Sequence, residues 1–313
     1  MTGINEDKVT YPEFLLTDDR LLFHYRDGRS GNGDTYFNMY DPEQGNWEKL
    51  DSRPLFDGIG LSNSYFKGPV IGPDGKFHII WCWRDTPDCV TNHGLYYASS
   101  NDLITWSSKT GFSKQIPITP EDSEFLIDDI KVKGGLINGG FSLGFTHDSS
   151  PLIAYHKYDD NGHTNIFLAS VEKDKKWTIR KLTQWKWRWN FSGRGSIPFH
   201  MEMHDISSDN RNVKINYSRL TNKSGFRSPV MRKYTIDVKI DGKVEEGFSD
   251  KNPHIPDRSR KKGMTLHLES DRGGNTQQRE SDKFMLYYET LSPNRDKKKN
   301  KLISTLDLPC CDS

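Results

Sequence analysis

The sequence predicts an all-β fold, a β-propeller of four-stranded antiparallel blades, on three observations. From residue 10 onward the chain reads as short strands with almost no helical periodicity. Turns rich in Gly, Pro, Asp and Ser join these strands in pairs. An aromatic–Arg–Asp triplet then ends the first strand pair twice, at Tyr25-Arg26-Asp27 and at Trp83-Arg84-Asp85. Four strands per unit, repeated every roughly 50–70 residues, are typical of propeller blades.

The first two units are the clearest. The first runs from Tyr11 to Trp47 and the second from Tyr65 to Trp106. In the second unit the turn Gly72-Pro73-Asp74-Gly75 explains why the first hairpin reverses so tightly. Each unit closes on a Trp, and we expect that side chain to pack between neighbouring blades because nothing else in the repeat supplies comparable apolar area.

Three later units repeat the pattern more loosely. The third spans Phe141 to Trp177 with His156-Lys157-Tyr158 as a weaker triplet, and the fourth spans roughly Gly195–Ile240. The strands assigned to the fifth are Met264–Leu268, Phe284–Glu289 and Leu302–Leu308. Five blades are therefore visible, and we predict a single propeller domain over residues 1–313. A β-sandwich is the alternative, but it does not explain an Arg that recurs at one place in successive units.

Composition excludes several classes of partner. Lys and Arg number 44 against 43 Asp and Glu, so no global charge points to nucleic acid or to a membrane surface. No run of about 18 apolar residues occurs, so we predict no membrane partner. The first eight residues show no apolar signal core, and localisation stays open. Aromatic residues make up 12% of the chain, which suits a surface that stacks on sugar rings.

One group of side chains has the chemistry of a zinc site. His78, Cys82, Cys89 and His93 fall within sixteen residues. Their gaps match no common zinc pattern, and His78 and Cys82 fit an alternating strand. We therefore favour ordinary packing and predict neither a metal nor an organic cofactor.

The strand ends and loops carry the candidate ligand site. Arg side chains suit a carboxylate or sulfate, and indoles suit the face of a sugar ring, so the residue types indicate an acidic glycan. The candidates are Tyr11, Arg26, Tyr65, Arg84, Asn92, His93, Trp187 and Arg188. Two alternatives stay open. Arg188 is equally consistent with a solvated charge between packing Trp residues, and Asn92-His93 with a purely structural loop.

Several multi-residue motifs resemble the BNR-repeat-containing proteins to which ulvan lyases belong. In chain order they are Tyr11-Pro12, Tyr25-Arg26-Asp27-Gly28-Arg29-Ser30-Gly31-Asn32-Gly33-Asp34, Trp83-Arg84-Asp85-Thr86-Pro87-Asp88, Thr91-Asn92-His93, Trp187-Arg188-Trp189-Asn190-Phe191-Ser192-Gly193-Arg194-Gly195-Ser196-Ile197 and Glu289-Thr290-Leu291-Ser292-Pro293-Asn294-Arg295-Asp296. The resemblance implies a seven-bladed propeller and polysaccharide lyase chemistry on uronic-acid-containing glycans of the rhamnose–glucuronate type. It further implies that Tyr11 transfers a proton and that Arg26 neutralises the uronate carboxylate. In the lyase hypothesis His93 or Asn92 is an additional candidate for that neutralisation, and Arg84, Tyr65 and Trp187 hold neighbouring sugars.

The chain departs from this family pattern upstream of Tyr11. The lyases also use two His from an earlier blade, and no such stretch precedes Tyr11 here. We therefore expect about two N-terminal blades to be missing, and with them the general base, because the sequence is a fragment or because the chemistry has been lost. Two other functions remain open. One is hydrolysis of rhamnose–glucuronate linkages, and the other is binding of an acidic glycan without turnover.

Overall fold

The computed structural model describes residues 2–17, 20–172, 174–209, 212–221, 230–239 and 242–248, together with the backbone of 264–270 and 285–291. It divides into two compact units, Met1–Asp250 and Lys251–Ser313. A single domain over residues 1–313 stays a prediction.

The first two sheets of the larger unit correspond to the two clearest sequence repeats. Sheet A contains β1 (Val9–Leu16), β2 (Leu21–Arg29), β3 (Asn32–Asp41) and β4 (Asn46–Lys49), in that spatial order. Sheet B contains β5 (Asn63–Ile71), β6 (Phe77–Arg84), β7 (Asn92–Ser100), β8 (Thr105–Ser107) and β9 (Ser113–Gln115), with β10 (Leu126–Asp128) paired to β7. Single 3-10 turns lie at Cys89–Thr91 and Ser123–Phe125.

The next two sheets repeat the same order of strands. Sheet C contains β11 (Phe141–Phe145), β12 (Pro151–Tyr158), β13 (Thr164–Val171) and β14 (Trp177–Lys181). Sheet D contains β15 (Met201–Ser208), β16 (Asn212–Thr221), β17 (Val230–Lys239) and β18 (Val244–Phe248). Every pairing is antiparallel between strands adjacent in the chain, except that β10 returns to β7. The predicted all-β propeller of four-stranded antiparallel blades is confirmed.

Successive sheets of the larger unit pack face to face because their strands are apolar on both sides. In β6, Ile79 and Trp81 join a core with Leu22 of sheet A, whereas Ile80 joins a core with Ile153 of sheet C. Strand geometry sends alternate side chains to opposite faces, so one apolar run serves two neighbours. A further core joins sheets C and D. This stacking of sheets in chain order is the arrangement expected of consecutive blades.

The closing Trp residues occupy two kinds of place. Trp106 is fully buried in the core between sheets A and B, and Trp177 packs edge-on against Tyr97, 5.4 Å between ring centroids. Trp47 instead lies with Phe23 in the small cluster on the other face of sheet A. Two of the three clear closing Trp residues thus lie between blades, as the sequence predicts.

The smaller unit contains one hairpin within its described residues. It pairs β19 (Met264–Ser270) with β20 (Met285–Leu291), antiparallel. The predicted third strand of the fifth unit, Leu302–Leu308, lies outside the described residues. Within the described part of the chain, no helix is long and apolar enough to cross a membrane.

Candidate functional site

Tyr11 stands at an interruption in the pairing of β1 with β2. Thr10 lies opposite Arg26 and Glu13 opposite His24, so the register shifts across Tyr11 and Pro12. Tyr11 has φ of 53°, a left-handed conformation that is costly for a bulky residue. Such a bulge re-aims a side chain out of the regular alternation. Tyr11 is accordingly 55% exposed, and its ring meets the Tyr65 ring edge-on, at 5.6 Å between centroids.

Arg26 lies beneath these two phenol rings and is only 5% exposed. Its Cζ is 4.9 Å from the centroid of the Tyr11 ring and 5.3 Å from that of Tyr65. Its Nε donates to Thr10 Oγ1 at 2.9 Å, while Nη1 is buried without a hydrogen-bond partner among the described residues. A buried guanidinium nitrogen with an unused donor is costly unless something else accepts its hydrogen bond. Arg26 is therefore the member of the site best able to receive an anionic group.

Arg84, its equivalent in sheet B, is occupied differently although it is just as buried. Its Nε donates to Asn92 Oδ1 at 2.7 Å, and its Nη1 donates to Tyr65 Oη at 3.0 Å and Ser30 Oγ at 3.2 Å. Its Nη2 donates to Asn138 Oδ1. These partners come from sheets A and B and from the segment before sheet C. Arg84 therefore holds the surrounding loops in place and has little donor capacity left for a ligand.

Tyr65, on β5, connects the two arginines. Its hydroxyl lies 2.9 Å from Ser30 Oγ, and Arg84 Cζ lies 4.1 Å from the centroid of its ring. Desolvation raises the pKa of Tyr65, but Arg84, Ser30 and Arg26 lower it by more, so its net pKa falls below the ordinary 10.0. Desolvation and the neighbouring Tyr65 act in the opposite direction on Tyr11 and raise its pKa. The pKa values of these two adjacent phenols are thus shifted in opposite directions.

Asn92 and His93 follow one another on β7, and strand alternation separates them. Asn92 belongs to the site through Arg84, and its Nδ2 is buried without a partner among the described residues. His93 is paired with Asp85, Nε2 to Oδ1 at 2.8 Å, and lies opposite Trp83 in the ladder. Of the two residues predicted to bind substrate, Asn92 thus adds an unused donor to the cluster and His93 does not touch it.

Trp187 and Arg188 form a separate group. The Arg188 guanidinium lies 3.6 Å from the centroid of the Tyr158 ring and donates to Gly162 O and to Asn190 Oδ1. Trp187 is half-buried and packs against the core between sheets C and D. No direct contact joins this group to Tyr11 or Arg26 in the part of the chain that the structure describes.

Two residues of the site, Ser30 and Asn138, were not predicted from the sequence. Ser30 lies on the Gly-rich loop after β2, and Asn138 lies between Ile137 and a Gly-Gly pair before β11. Gly31 explains how Ser30 reaches Arg84: a Cβ there would lie 2.5 Å from the backbone carbon of Thr86, so only Gly allows the two loops to meet so closely. The glycines around Asn138 are the one signal that points to a loop placed for close approach.

The side chains of this cluster are of the types that can bind an anion and transfer a proton. The cluster combines two buried guanidinium groups, two phenols whose pKa values are shifted in opposite directions, and an unused amide donor.

No group of three or more His, Cys, Asp or Glu side chains suited to a metal occurs among the described residues. His78 bonds to Asp74 and Tyr97, and Cys82 is a free buried thiol.

The chain is similar to parts of two longer proteins that are named as lyases. The ulvan lyase, short isoform, of Alteromonas sp. (strain LOR) is 30% identical over 137 residues, which are 39% of this chain and 26% of that protein. The crystal structure of polysaccharide lyase Uly1 matches 92% of this chain and 57% of its own, with a TM-score of 0.55 at 18% identity. The second likeness supports the fold.

The family model described as BNR repeat-containing family member matches residues 1–185. That span contains sheets A, B and C. It also contains the site residues Tyr11, Arg26, Tyr65, Arg84 and Asn92. Because it is more than half of the 313 residues, the chain belongs to the BNR repeat-containing family.

Proposed function

We propose that the cluster of Tyr11, Arg26, Tyr65, Arg84 and Asn92 binds a uronic-acid-containing polysaccharide and cleaves it by β-elimination. The observation that carries this proposal is the buried Arg26 guanidinium, whose Nη1 has no partner among the described residues and which lies against two phenols. The relatives named as an ulvan lyase and a polysaccharide lyase favour a carbohydrate-active enzyme. Rhamnose–glucuronate glycans of the ulvan type are the substrate class.

Elimination first requires the uronate carboxylate to be neutralised, because the hydrogen on C5 is otherwise too weakly acidic to be removed. Arg26 Nη1 and Asn92 Nδ2 are unused buried donors at the site. Each can donate a hydrogen bond to a carboxylate oxygen and so stabilise the negative charge that spreads onto that group as the C5 proton leaves. The low exposure of Arg26 strengthens this interaction, since water screens it little.

Departure of the sugar attached at C4 requires a proton on the glycosidic oxygen. Tyr11 is the suitable donor because its ring is open to solvent at the bulge and its raised pKa keeps it protonated. The left-handed backbone at Tyr11 fits a residue held in place for function, since such strain is concentrated at active sites.

The two alternative functions, hydrolysis and binding without turnover, require different side chains. Hydrolysis by the usual route needs a pair of carboxylates about 5–10 Å apart across the bond. The proposed cluster consists of two arginines, two tyrosines and an asparagine and has no carboxylate among these members, which disfavours that route. Binding without turnover needs only the donors and the aromatic faces. It stays the second candidate because Arg188 over Tyr158 offers a further cationic and aromatic surface.

The test is incubation of the purified protein with ulvan and, separately, with a neutral polysaccharide. We expect unsaturated uronate, seen by its ultraviolet absorbance, to form from ulvan alone. Arg26→Met should lower the rate of elimination by about 100-fold or more, the usual cost of removing one charge-stabilising donor. New reducing ends without the absorbance would indicate hydrolysis, and binding without either signal would indicate a binding module.

Arg53→Met is the matched control. Arg53 is exposed and paired with Asp51 at the surface, Nη2 to Oδ2 at 2.9 Å. Because surface ion pairs contribute little, this variant should keep the wild-type rate and stability. An equal loss of elimination in both variants would mean that Arg26 has no special role.

A further inference from the structure

The proposed elimination needs a base for the C5 proton, and the described residues offer one. The hydroxyl of Tyr65 is surrounded by donors, with Arg84 Nη1 at 3.0 Å and Ser30 Oγ at 2.9 Å. The Arg26 guanidinium lies on the other side, 5.3 Å from the ring centroid. This surrounding suits a phenolate oxygen, which accepts hydrogen bonds and donates none.

Building on the proposed function, we propose that Tyr65 is the proton acceptor of the elimination and that Tyr11 is its proton donor. The two rings lie in contact, 5.6 Å between centroids and nearly perpendicular, and the Arg26 guanidinium lies near both. Tyr65 would then be a catalytic residue, and Arg84 and Ser30 would be positioning residues that act through it.

The opposed acidities of the two phenols support these roles. Where two neighbouring titratable groups are pushed apart in pKa, the lower one is suited to be the base and the higher one the acid. Desolvation opposes ionisation of Tyr65, yet Arg84, Ser30 and Arg26 outweigh it and bring its pKa below 10.0. Desolvation and the charge of the neighbouring Tyr65 raise the pKa of Tyr11 and keep it protonated.

The step balances within the pair. The Tyr65 phenolate takes the proton from C5, and the electrons of that C–H bond form the double bond between C4 and C5. The bond from C4 to the glycosidic oxygen breaks, and that oxygen takes the hydroxyl proton of Tyr11. Tyr65 is then neutral and Tyr11 ionised. Return of the proton from Tyr65 to the Tyr11 phenolate restores both groups, so no other reactant is needed.

His93 is a poorer choice for this base. Strand alternation directs it away from Asn92 and Arg84, to the side where its Nε2 pairs with Asp85 Oδ1 at 2.8 Å. Tyr65 contacts both arginines directly.

The first test needs no substrate. Ultraviolet titration of tyrosine ionisation on the whole protein should show one phenol that ionises before the others. That phenol should be lost in Tyr65→Phe, kept in Tyr40→Phe, and moved to higher pH in Ser30→Ala. Tyr40 is the matched control because it packs against Trp47 on sheet A, outside the cluster. Persistence of the early phenol in Tyr65→Phe would overturn the assignment whatever the activity of the protein.

The second test uses ulvan. Tyr65→Phe should bind the glycan as the wild type does and lose about 100-fold or more in kcat, the usual range for a general base. Ser30→Ala should move the acidic limb of the kcat/KM profile to higher pH, a change that a purely structural role would not produce. Wild-type kcat in Tyr65→Phe would overturn the role of Tyr65 and leave elimination standing. Absence of unsaturated uronate from the wild type would overturn elimination itself.

Discussion

Acid should destabilise this fold through its buried histidines. His156, on β12, is 0% exposed and packs against the Trp189 ring, 5.6 Å between centroids. Neither of its ring nitrogens has a hydrogen-bond partner among the described residues. Burial lowers the pKa of His156 to about 4 from the ordinary 6.5. His24, 3% exposed, is lowered to about 4 for the same reason.

Acidification lowers the free energy of unfolding because the unfolded chain binds protons at these histidines more readily than the native state does. The native state keeps both rings neutral, whereas the unfolded chain protonates them below pH 6.5. The stabilisation is therefore complete above pH 6.5, is lost as the pH falls from 6.5 towards 4, and changes little below that. At about 1.4 kcal/mol per pH unit, each histidine removes about 2 kcal/mol of unfolding free energy at about pH 5. Both together remove about 4 kcal/mol, a large share of the usual 5–15.

The assay is urea unfolding at about pH 7.5 and pH 5, with stability read from the midpoint and slope. In His156→Gln the difference between the two pH values should shrink by about 2 kcal/mol relative to the wild type, whatever the variant's stability at the higher pH. His147→Gln is the control, because His147 is exposed. If His156→Gln loses as much stability on acidification as the wild type, the buried neutral ring is not the cause.

Three further outcomes are expected. Gly140→Ala should cost about 1–3 kcal/mol in urea unfolding, because a Cβ there would lie 2.4 Å from His156 Nε2, whereas Gly247→Ala, with nothing within 4 Å, should cost far less. An equal cost in both would refute the close contact. Arg84→Lys should lower both the melting temperature and kcat, since Lys cannot reproduce the fork that bonds Asn138 and the other partners; unchanged kcat would remove its positioning role. Finally, two phenols side by side suit a C5 hydrogen and an O4 on the same face of the sugar ring, as in D-glucuronate but not in its C5 epimer L-iduronate. D-glucuronate linkages should therefore be cleaved faster than L-iduronate linkages, as measured by the formation of unsaturated uronate from each.

The sequence by itself determined the repeating unit. Turn residues such as Gly72-Pro73-Asp74-Gly75 and the apolar run of β6 depend only on local backbone preferences and on strand alternation, so both can be read along the chain. The equivalence of Arg26 and Arg84 could also be predicted, because each lies towards the end of the second strand of its unit, opposite the start of the first. The repeat thus indicated which side chains share one end of neighbouring blades.

Only the tertiary structure decided what those two arginines do. Arg84 is saturated by Ser30 and Asn138, each 54 residues away in the chain, whereas the Nη1 of Arg26 is left unused. The bulge that turns Tyr11 outward is likewise invisible in the motif. Hydrogen-bond satisfaction of a buried group depends on atoms that different loops bring within about 3 Å, and no local preference encodes that meeting. For this reason the sequence could predict that the two arginines are equivalent, and only the fold shows that, among the described residues, one has an unused donor and the other does not.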